Sequence, residues 1–169
     1  MELIDGIFTR RSIRRYTNKE LSQNQIDTLL KAGMYAPSAR NQQPWHFIVV
    51  SKRELLNAIS EVHPYAQMLK EAQLAIIVCG DEKLELSKGY WVVDCSAATQ
   101  NILLAAHGIG LGAVWLGLHP REERKKDIKN LIKLPDHVQP LSLISVGYPN
   151  EEKDDPQRFK PERIHYNTW

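Results

Sequence analysis

The sequence has few of the residues that build cross-linked or strongly charged proteins. Cysteine occurs only twice, as Cys79 and Cys95, so we exclude a disulfide framework and expect both thiols to be small buried residues. The 22 basic and 20 acidic residues leave a net charge of +2, which is too small a field for general nucleic-acid binding. The N-terminal residues show no basic-then-apolar leader, which favours a cytoplasmic location.

Long apolar runs and the common catalytic motifs are also missing. Asp94 is the only charged residue between Tyr90 and His119, but polar residues such as Ser96 and Thr99 interrupt the stretch. It therefore predicts a helix buried inside protein and not a membrane span, which needs about 20 mostly apolar residues. The six histidines have no metal-ligand spacing, and there is no nucleophile elbow. We predict no metal, membrane or nucleic-acid partner.

Hydrophobic periodicity predicts short strands that alternate with helices. Ser22 and Gln25 form a predicted capping box at the start of the second helix, and Gly108 is expected to end the longest helix. Residues 150–161 are polar and rich in proline, which predicts a loop. The predicted helices cover 3–8, 22–36, 52–60, 91–107 and 121–133, and the predicted strands cover 47–50, 74–79, 113–116, 140–146 and a short candidate at 164–166. This order favours an α+β sheet wrapped by helices.

The nearly uncharged helix at 91–107 is difficult to bury in a chain of 169 residues. A helix that is apolar on all sides needs a second covering layer, and a second copy of the chain would supply one. We therefore predict a homodimer.

Residues 10–15 form the most basic segment, with four arginines around Ser12 and Ile13. Planar guanidinium groups and a hydroxyl suit a phosphate, and Arg158 and Lys160 add positive charge from the other end of the chain. A solvated helix end is the alternative interpretation of any basic run.

The turn at 36–45 combines small side chains, three consecutive amides and two prolines. Amides match the edge of a flat heterocycle that alternates donors and acceptors, although an ordinary loop has the same composition. We expect Trp45 to be a packing residue. Together with the arginine segment, the turn predicts a pocket for a phosphorylated ring cofactor.

Three segments carry a family resemblance: RRSIR at 10–14, APSARNQQPW at 36–45 and DCSAATQNILLAAHGIGLGAVWLG at 94–117. In combination they resemble the FMN-dependent nitroreductase family, over nearly the whole length from Ile7 to about Tyr166. The resemblance implies a three-layer α-β-α fold in one domain over 1–169, with a central, mostly antiparallel sheet. It also implies a homodimer with FMN at the interface and a C-terminal arm, 150–169, exchanged between the protomers.

The resemblance further implies the cofactor contacts. The arginine segment would hold the phosphate and ring edge, the turn would lie against the flavin, and a backbone segment would touch the ring near its reactive nitrogen. A basic pair before the arm would reach the phosphate. In that order, the residues are Arg10, Arg11, Ser12 and Arg14; Pro37, Ser38, Ala39 and Asn41; Leu116 and Gly117; and Arg158 and Lys160.

Family members reduce nitroaromatics, quinones or flavins with NADH or NADPH in a ping-pong cycle, so we expect no catalytic side chain here. The chain lacks the helical insertion that shapes the substrate channel of longer members, and its acceptor is left open. Three alternatives are a redox-silent module that binds or stores FMN, a relative that dehalogenates aromatics or cleaves flavin, and an interaction protein whose arginines bind an acidic partner.

Overall fold

A computed structural model describes residues 2–169 and shows an α+β fold with one open sheet between two layers of helices. All strand pairs are antiparallel, and the order across the sheet is β1-β2-β4-β3. The strands are β1 (Trp45–Val50), β2 (Leu74–Asp81), β3 (Gly112–Gly117) and β4 (Val138–Gly147). The helices are α1 (Leu3–Thr9), α2 (Gln23–Met34), α3 (Arg53–Val62), α4 (Trp91–Gly108) and α5 (Glu122–Ile132).

Both faces of the sheet are covered, which gives the three layers that the family resemblance implied. Every residue of β2 is buried, because its side chains alternate between two separate hydrophobic clusters. Ile76 packs on one face with residues of α2 and α4. Ile77 packs on the opposite face with residues of α3 and α5. The continuous apolar run of β2 therefore reflects burial on both sides.

The central helix α4 is buried for most of its length, as its composition predicted. Its end differs from the prediction, because Gly108 is still helical and Gly110 adopts the left-handed conformation with φ of 79°. The N–H of Leu111 donates to the carbonyl of Ala106 at 2.8 Å, and the N–H of Gly110 donates to the carbonyl of His107 at 3.1 Å. This pattern is a Schellman motif, in which the residue after the cap needs a positive φ.

The first helix buries none of its side chains within this chain. Leu3 and Phe8 are 73% and 70% exposed, and Ile4 and Ile7 lie beside them. An exposed apolar helix of this kind is typical of a surface that another protein covers.

The remaining predictions can be compared directly with the structure. The capping box of Ser22 and Gln25 is confirmed, and so are the two cysteines, which are buried and unpaired. Burial raises the pKa of the Cys79 thiol to about 12. The strand predicted at 164–166 is wrong, because these residues are exposed and pair with no strand of the described chain. No helix within residues 2–169 is long and apolar enough to cross a membrane.

Candidate functional site

The arginine segment lies along the outer edge of β3. Ser12 forms a parallel bridge with Ala113, and the N–H of Ile13 donates to the Ala113 carbonyl at 3.0 Å. Gly112 makes this close approach possible, because a Cβ there would stand 2.6 Å from Cγ2 of Ile13. The segment is therefore ordered backbone held against the sheet, and the solvated helix end does not describe it.

The four arginines of the segment have different surroundings. Arg10 and Arg11 are half-buried, whereas Arg14 and Arg15 are exposed. Arg11 donates from Nη1 to the carbonyl of Phe8 at 2.6 Å and from Nε to the carbonyl of Asp154 at 2.9 Å. Most of its donors are thus used inside the chain, and its main effect is to join the two ends of the chain.

Arg10 is the cation best placed for an anionic ligand. Burial lowers its pKa, and the neighbouring cations Arg158 and Arg11 lower the pKa further. No carboxylate of residues 2–169 forms an ion pair with Arg10 or Arg158. Two like charges that lie together in this way favour an anion between them.

A cavity of about 430 Å³ opens beside Arg10 and Arg11. His107 of α4 forms part of its wall, and its Nε2 lies 2.8 Å from the hydroxyl of Thr9. Because that hydroxyl already donates to the carbonyl of Asp5, Nε2 of His107 carries the proton. Burial lowers the His107 pKa, and Arg10 and Arg11 lower it further.

Three other candidate residues do not line this cavity and have weaker support. The backbone N–H of Arg14 donates to Glu151 at 2.6 Å, and its exposed guanidinium donates from Nη1 to the carbonyl of Ser12 at 3.5 Å. Within the described part of the chain, the Ser12 hydroxyl makes no hydrogen bond. Lys160 is exposed before the short 3₁₀ turn Pro161–Arg163, and no contact of the described residues joins it to the arginines.

The turn that contains Pro37, Ser38, Ala39 and Asn41 has an unusual backbone. Arg40, Asn41 and Gln43 all have positive φ, at 51°, 53° and 46°. Non-glycine residues seldom adopt this conformation, and such strain persists only where surrounding contacts enforce it. The Ser38 hydroxyl supplies one of these contacts, because it accepts the N–H of Gln43 at 3.1 Å.

Asp94 of α4 supplies the strongest of these contacts. Its Oδ1 accepts the N–H of Ala39 at 2.9 Å, and its Oδ2 accepts Nε2 of Gln42 at 2.6 Å. The Gln42 side-chain oxygen in turn accepts the N–H groups of Leu86 and Ser87. Our sequence analysis did not assign Asp94 to the site. Its position as the lone charge of an apolar helix was the available signal, because a buried carboxylate needs donors.

The last candidate segment is the end of β3. Leu118 donates to the carbonyl of Leu141 at 3.1 Å, so the antiparallel alternation turns the N–H and C=O of Gly117 away from β4. A Cβ built on Gly117 would lie 3.8 Å from the carbonyl oxygen of His119, which is an ordinary van der Waals contact, so the backbone at this position is not crowded. Leu116 is buried beneath it. Gly117 thus presents a backbone donor to a surface that a flat ring can approach.

The structure brings some of the candidate residues together and separates others. Arg10, Arg11 and Ser12 lie near the start of β3 and the end of α4, and the charge of Arg158 is close enough to lower the pKa of Arg10. The turn is tethered to Asp94, thirteen residues before His107 on the same helix. At about 1.5 Å per residue, these two positions are roughly 20 Å apart. Within one chain, the turn does not reach the arginine cavity.

The comparisons with known proteins agree on one family. The model described as Nitroreductase family matches residues 7–75 and 60–148. A candidate NADH dehydrogenase/NAD(P)H nitroreductase of Methanothermobacter thermautotrophicus is 52% identical over 169 residues, which cover 100% of this chain and 88% of that protein.

Solved structures show the same relationship. An FMN-dependent nitroreductase from Clostridium difficile superposes with a TM-score of 0.91 at 32% identity, with 98% of this chain and 99% of that chain covered. A candidate nitroreductase from Desulfovibrio desulfuricans, solved in complex with FMN, gives a TM-score of 0.86 at 28% identity. The superposition covers 100% of this chain and 98% of the Desulfovibrio chain.

Proposed function

The chain belongs to the nitroreductase family, and from this premise we propose that it is an FMN-dependent oxidoreductase that uses NADH or NADPH. Its acceptors would be nitroaromatics, quinones or free flavins. The observation that supports the proposal is that Arg10 and Arg11 line a cavity at the outer edge of β3 in a relative of FMN-binding proteins, with the charge of Arg158 close enough to act on Arg10. FMN, when bound, supplies the hydride transfer, and the protein supplies its position and surroundings.

The residues present fit the phosphate end of FMN. Arg10 and Arg158 lie together without a carboxylate partner, and a phosphate would relieve their repulsion. The Ser12 hydroxyl stands in the same segment as a further donor. Exposed Arg14 and Lys160 would add positive charge nearby, and Arg11 would hold the arm in place through Asp154.

The edge of β3 fits the ring. Gly117 offers an outward N–H and has no side chain, so a flat heterocycle could lie close to the backbone and accept this hydrogen bond. None of the candidate contacts is a side-chain acid or base that the reaction needs. The hydride donor and the acceptor would use the same exposed face in turn, which is a ping-pong order.

The separation of the turn from the arginine cavity favours a site built by two protomers. We propose a homodimer in which residues 37–41 of one protomer face the arginine segment of its partner. The exposed apolar face of α1 provides a surface for this contact. A cavity of about 700 Å³ lies between Phe8 and the segment 155–159 at the start of the arm. In the exchange that we propose for the arm 150–169, the part that crosses to the partner would follow Arg158, because Asp154 is bound to Arg11 and Arg158 acts on Arg10 of the same chain.

The first test is to purify the protein and measure bound FMN by absorbance, followed by oxidation of NADH and NADPH with menadione and with a nitroaromatic. We expect a yellow protein that consumes at least one of the two nucleotides. Bound FMN without nucleotide oxidation would instead identify the storage module, and a colourless protein with no affinity for FMN would refute the proposal.

A pair of variants then tests the phosphate contacts. Arg10→Ala with Arg158→Ala should weaken FMN binding at least a hundredfold, since the two charge-assisted bonds contribute about 1.5–3 kcal/mol each. Lys126→Ala is the matched control, because it removes an exposed cation from α5, away from the cavity. Equal FMN affinity in the double variant and the control would exclude the phosphate contacts.

A further inference from the structure

The carbonyl of Gly117 receives hydrogen bonds from two side chains that come from separate elements. His63, which follows the last residue of α3, places Nε2 at 3.2 Å from this oxygen. Arg124 of α5 donates to the same oxygen from Nη1 at 3.3 Å. The two donors converge on the residue whose N–H forms the proposed ring contact.

The hydrogen-bond pattern fixes the protonation state of His63. Its Nδ1 accepts the backbone N–H of Tyr65 at 3.2 Å, so this nitrogen carries a lone pair. The neutral ring therefore has its proton on Nε2 and donates to Gly117. Burial lowers the His63 pKa, and the nearby Arg124 charge lowers it as well, whereas the bond to Gly117 raises it. His63 is thus a neutral donor at neutral pH.

Arg124 brings positive charge to the same place. Its guanidinium lies 5.1 Å from the ring centre of Tyr65, and no carboxylate of residues 2–169 forms an ion pair with it. Lys125, the next residue of this helix, differs because it forms an ion pair with Glu122 at 2.9 Å. The charge of Arg124 therefore acts on its surroundings without a neighbouring acid to offset it.

Gly117 is the last residue of β3, and a glycine has wide freedom in both backbone dihedrals where the strand ends. Two hydrogen bonds to the carbonyl of Gly117 limit that freedom. They thereby keep the N–H of the same residue at the outer edge of the sheet. We propose that His63 and Arg124 are positioning residues that aim the Gly117 N–H at the flavin ring. Arg124 also stabilises the reduced, more negative form of FMN. This proposal rests on the proposed function.

The test compares conservative and non-conservative variants of both residues. His63→Gln retains an N–H donor and His63→Leu removes it; Arg124→Lys retains the charge and Arg124→Met removes it. Lys126→Met, an exposed cation of the same helix, is the control. For each apo-protein, the dissociation constants of oxidised and reduced FMN are measured under anaerobic conditions, with the midpoint potential of the bound FMN and the urea midpoint of unfolding.

We expect Arg124→Met to weaken the binding of reduced FMN about tenfold more than the binding of oxidised FMN. This difference lowers the midpoint potential of the bound FMN by roughly 30 mV. His63→Leu should weaken both forms about tenfold, and His63→Gln should recover most of that loss. Lys126→Met should match the wild type.

Two other results have distinct meanings. If His63→Leu and Arg124→Met lower the urea midpoint but leave both dissociation constants and the potential unchanged, the two residues are structural and the inference is wrong. If the wild-type chain itself binds no FMN, the proposed function fails and this inference fails with it. Should His63→Leu not fold, the Arg124 pair and His63→Gln still decide the outcome.

Discussion

We expect Asp94→Asn to destabilise the fold because it breaks a buried network that cannot rearrange. An asparagine oxygen can still accept the N–H of Ala39, but its NH₂ group then faces the NH₂ group of Gln42. Gln42 cannot rotate its amide to relieve this conflict, because its oxygen already accepts the N–H groups of Leu86 and Ser87. Either arrangement leaves a buried donor without an acceptor.

The size of the effect follows from the bonds that are lost. A hydrogen bond to a charged group contributes about 1.5–3 kcal/mol, and an unsatisfied buried donor costs about 1–3 kcal/mol. Allowing for overlap between these terms, we expect a loss of about 3 kcal/mol in the free energy of unfolding. For a chain of this length, that corresponds to a fall of roughly 10 °C in Tm. FMN affinity should also fall, because the turn loses its anchor.

Urea denaturation and thermal melting measure the change, with Asp27→Asn as the control. Asp27 is exposed on α2 and accepts only from Gln23, so its replacement should alter stability by less than about 0.5 kcal/mol. Adding Gln42→Glu to Asp94→Asn restores the pattern of one carboxylate and one amide, and it should recover most of the stability. If Asp94→Asn is as stable as the wild type, or if the second change gives no recovery, the network does not hold the turn.

Three further predictions concern the sheet edge, pH and assembly. Gly112→Ala should lower the free energy of unfolding by about 2 kcal/mol and weaken FMN binding, because its Cβ would overlap Ile13. The control Gly108→Ala should have neither effect, because no atom lies within 4 Å of its Cβ. Urea titration measures the stability of each variant, and FMN titration measures its affinity. Burial lowers the pKa of His63 in the folded chain, so its contribution to stability is complete above pH about 6.5 and declines as the pH falls through the folded-state pKa. The fall in stability between pH 7.5 and 5.5 should therefore be smaller in His63→Gln, and an identical fall would contradict the assignment. Phe8→Glu should produce a monomer that does not retain FMN, as measured by light scattering and absorbance; a variant that stays dimeric would remove α1 from the interface.

The sequence predicted the fold well where the signals are local. The capping box, the apolar strands and the uncharged central helix depend on neighbouring residues, and all three are confirmed. The prediction of a strand at 164–166 failed because a strand needs a partner, and no bridge joins these residues to a strand of residues 2–169. Pairing of this kind is not visible in a short apolar alternation.

The contacts that organise the candidate site are long-range, and this is why sequence patterns did not reveal them. Asp94 bonds to Ala39, 55 positions away, and His63 bonds to Gly117, 54 positions away. Neither pair belongs to a motif with fixed spacing. The arginine segment was visible because its charges are consecutive, although only the structure shows that Arg11 is used internally and Arg10 is not.

The central claim is that cations from the two ends of the chain form a phosphate site for a flavin mononucleotide. The most direct measurement is the affinity of the apo-protein for FMN and for riboflavin, which lacks the phosphate. Two charge-assisted contacts at about 1.5–3 kcal/mol each predict that FMN binds at least a hundredfold more tightly. Arg10→Ala with Arg158→Ala should bring the two affinities close together. Equal binding of FMN and riboflavin by the wild-type protein would contradict the account.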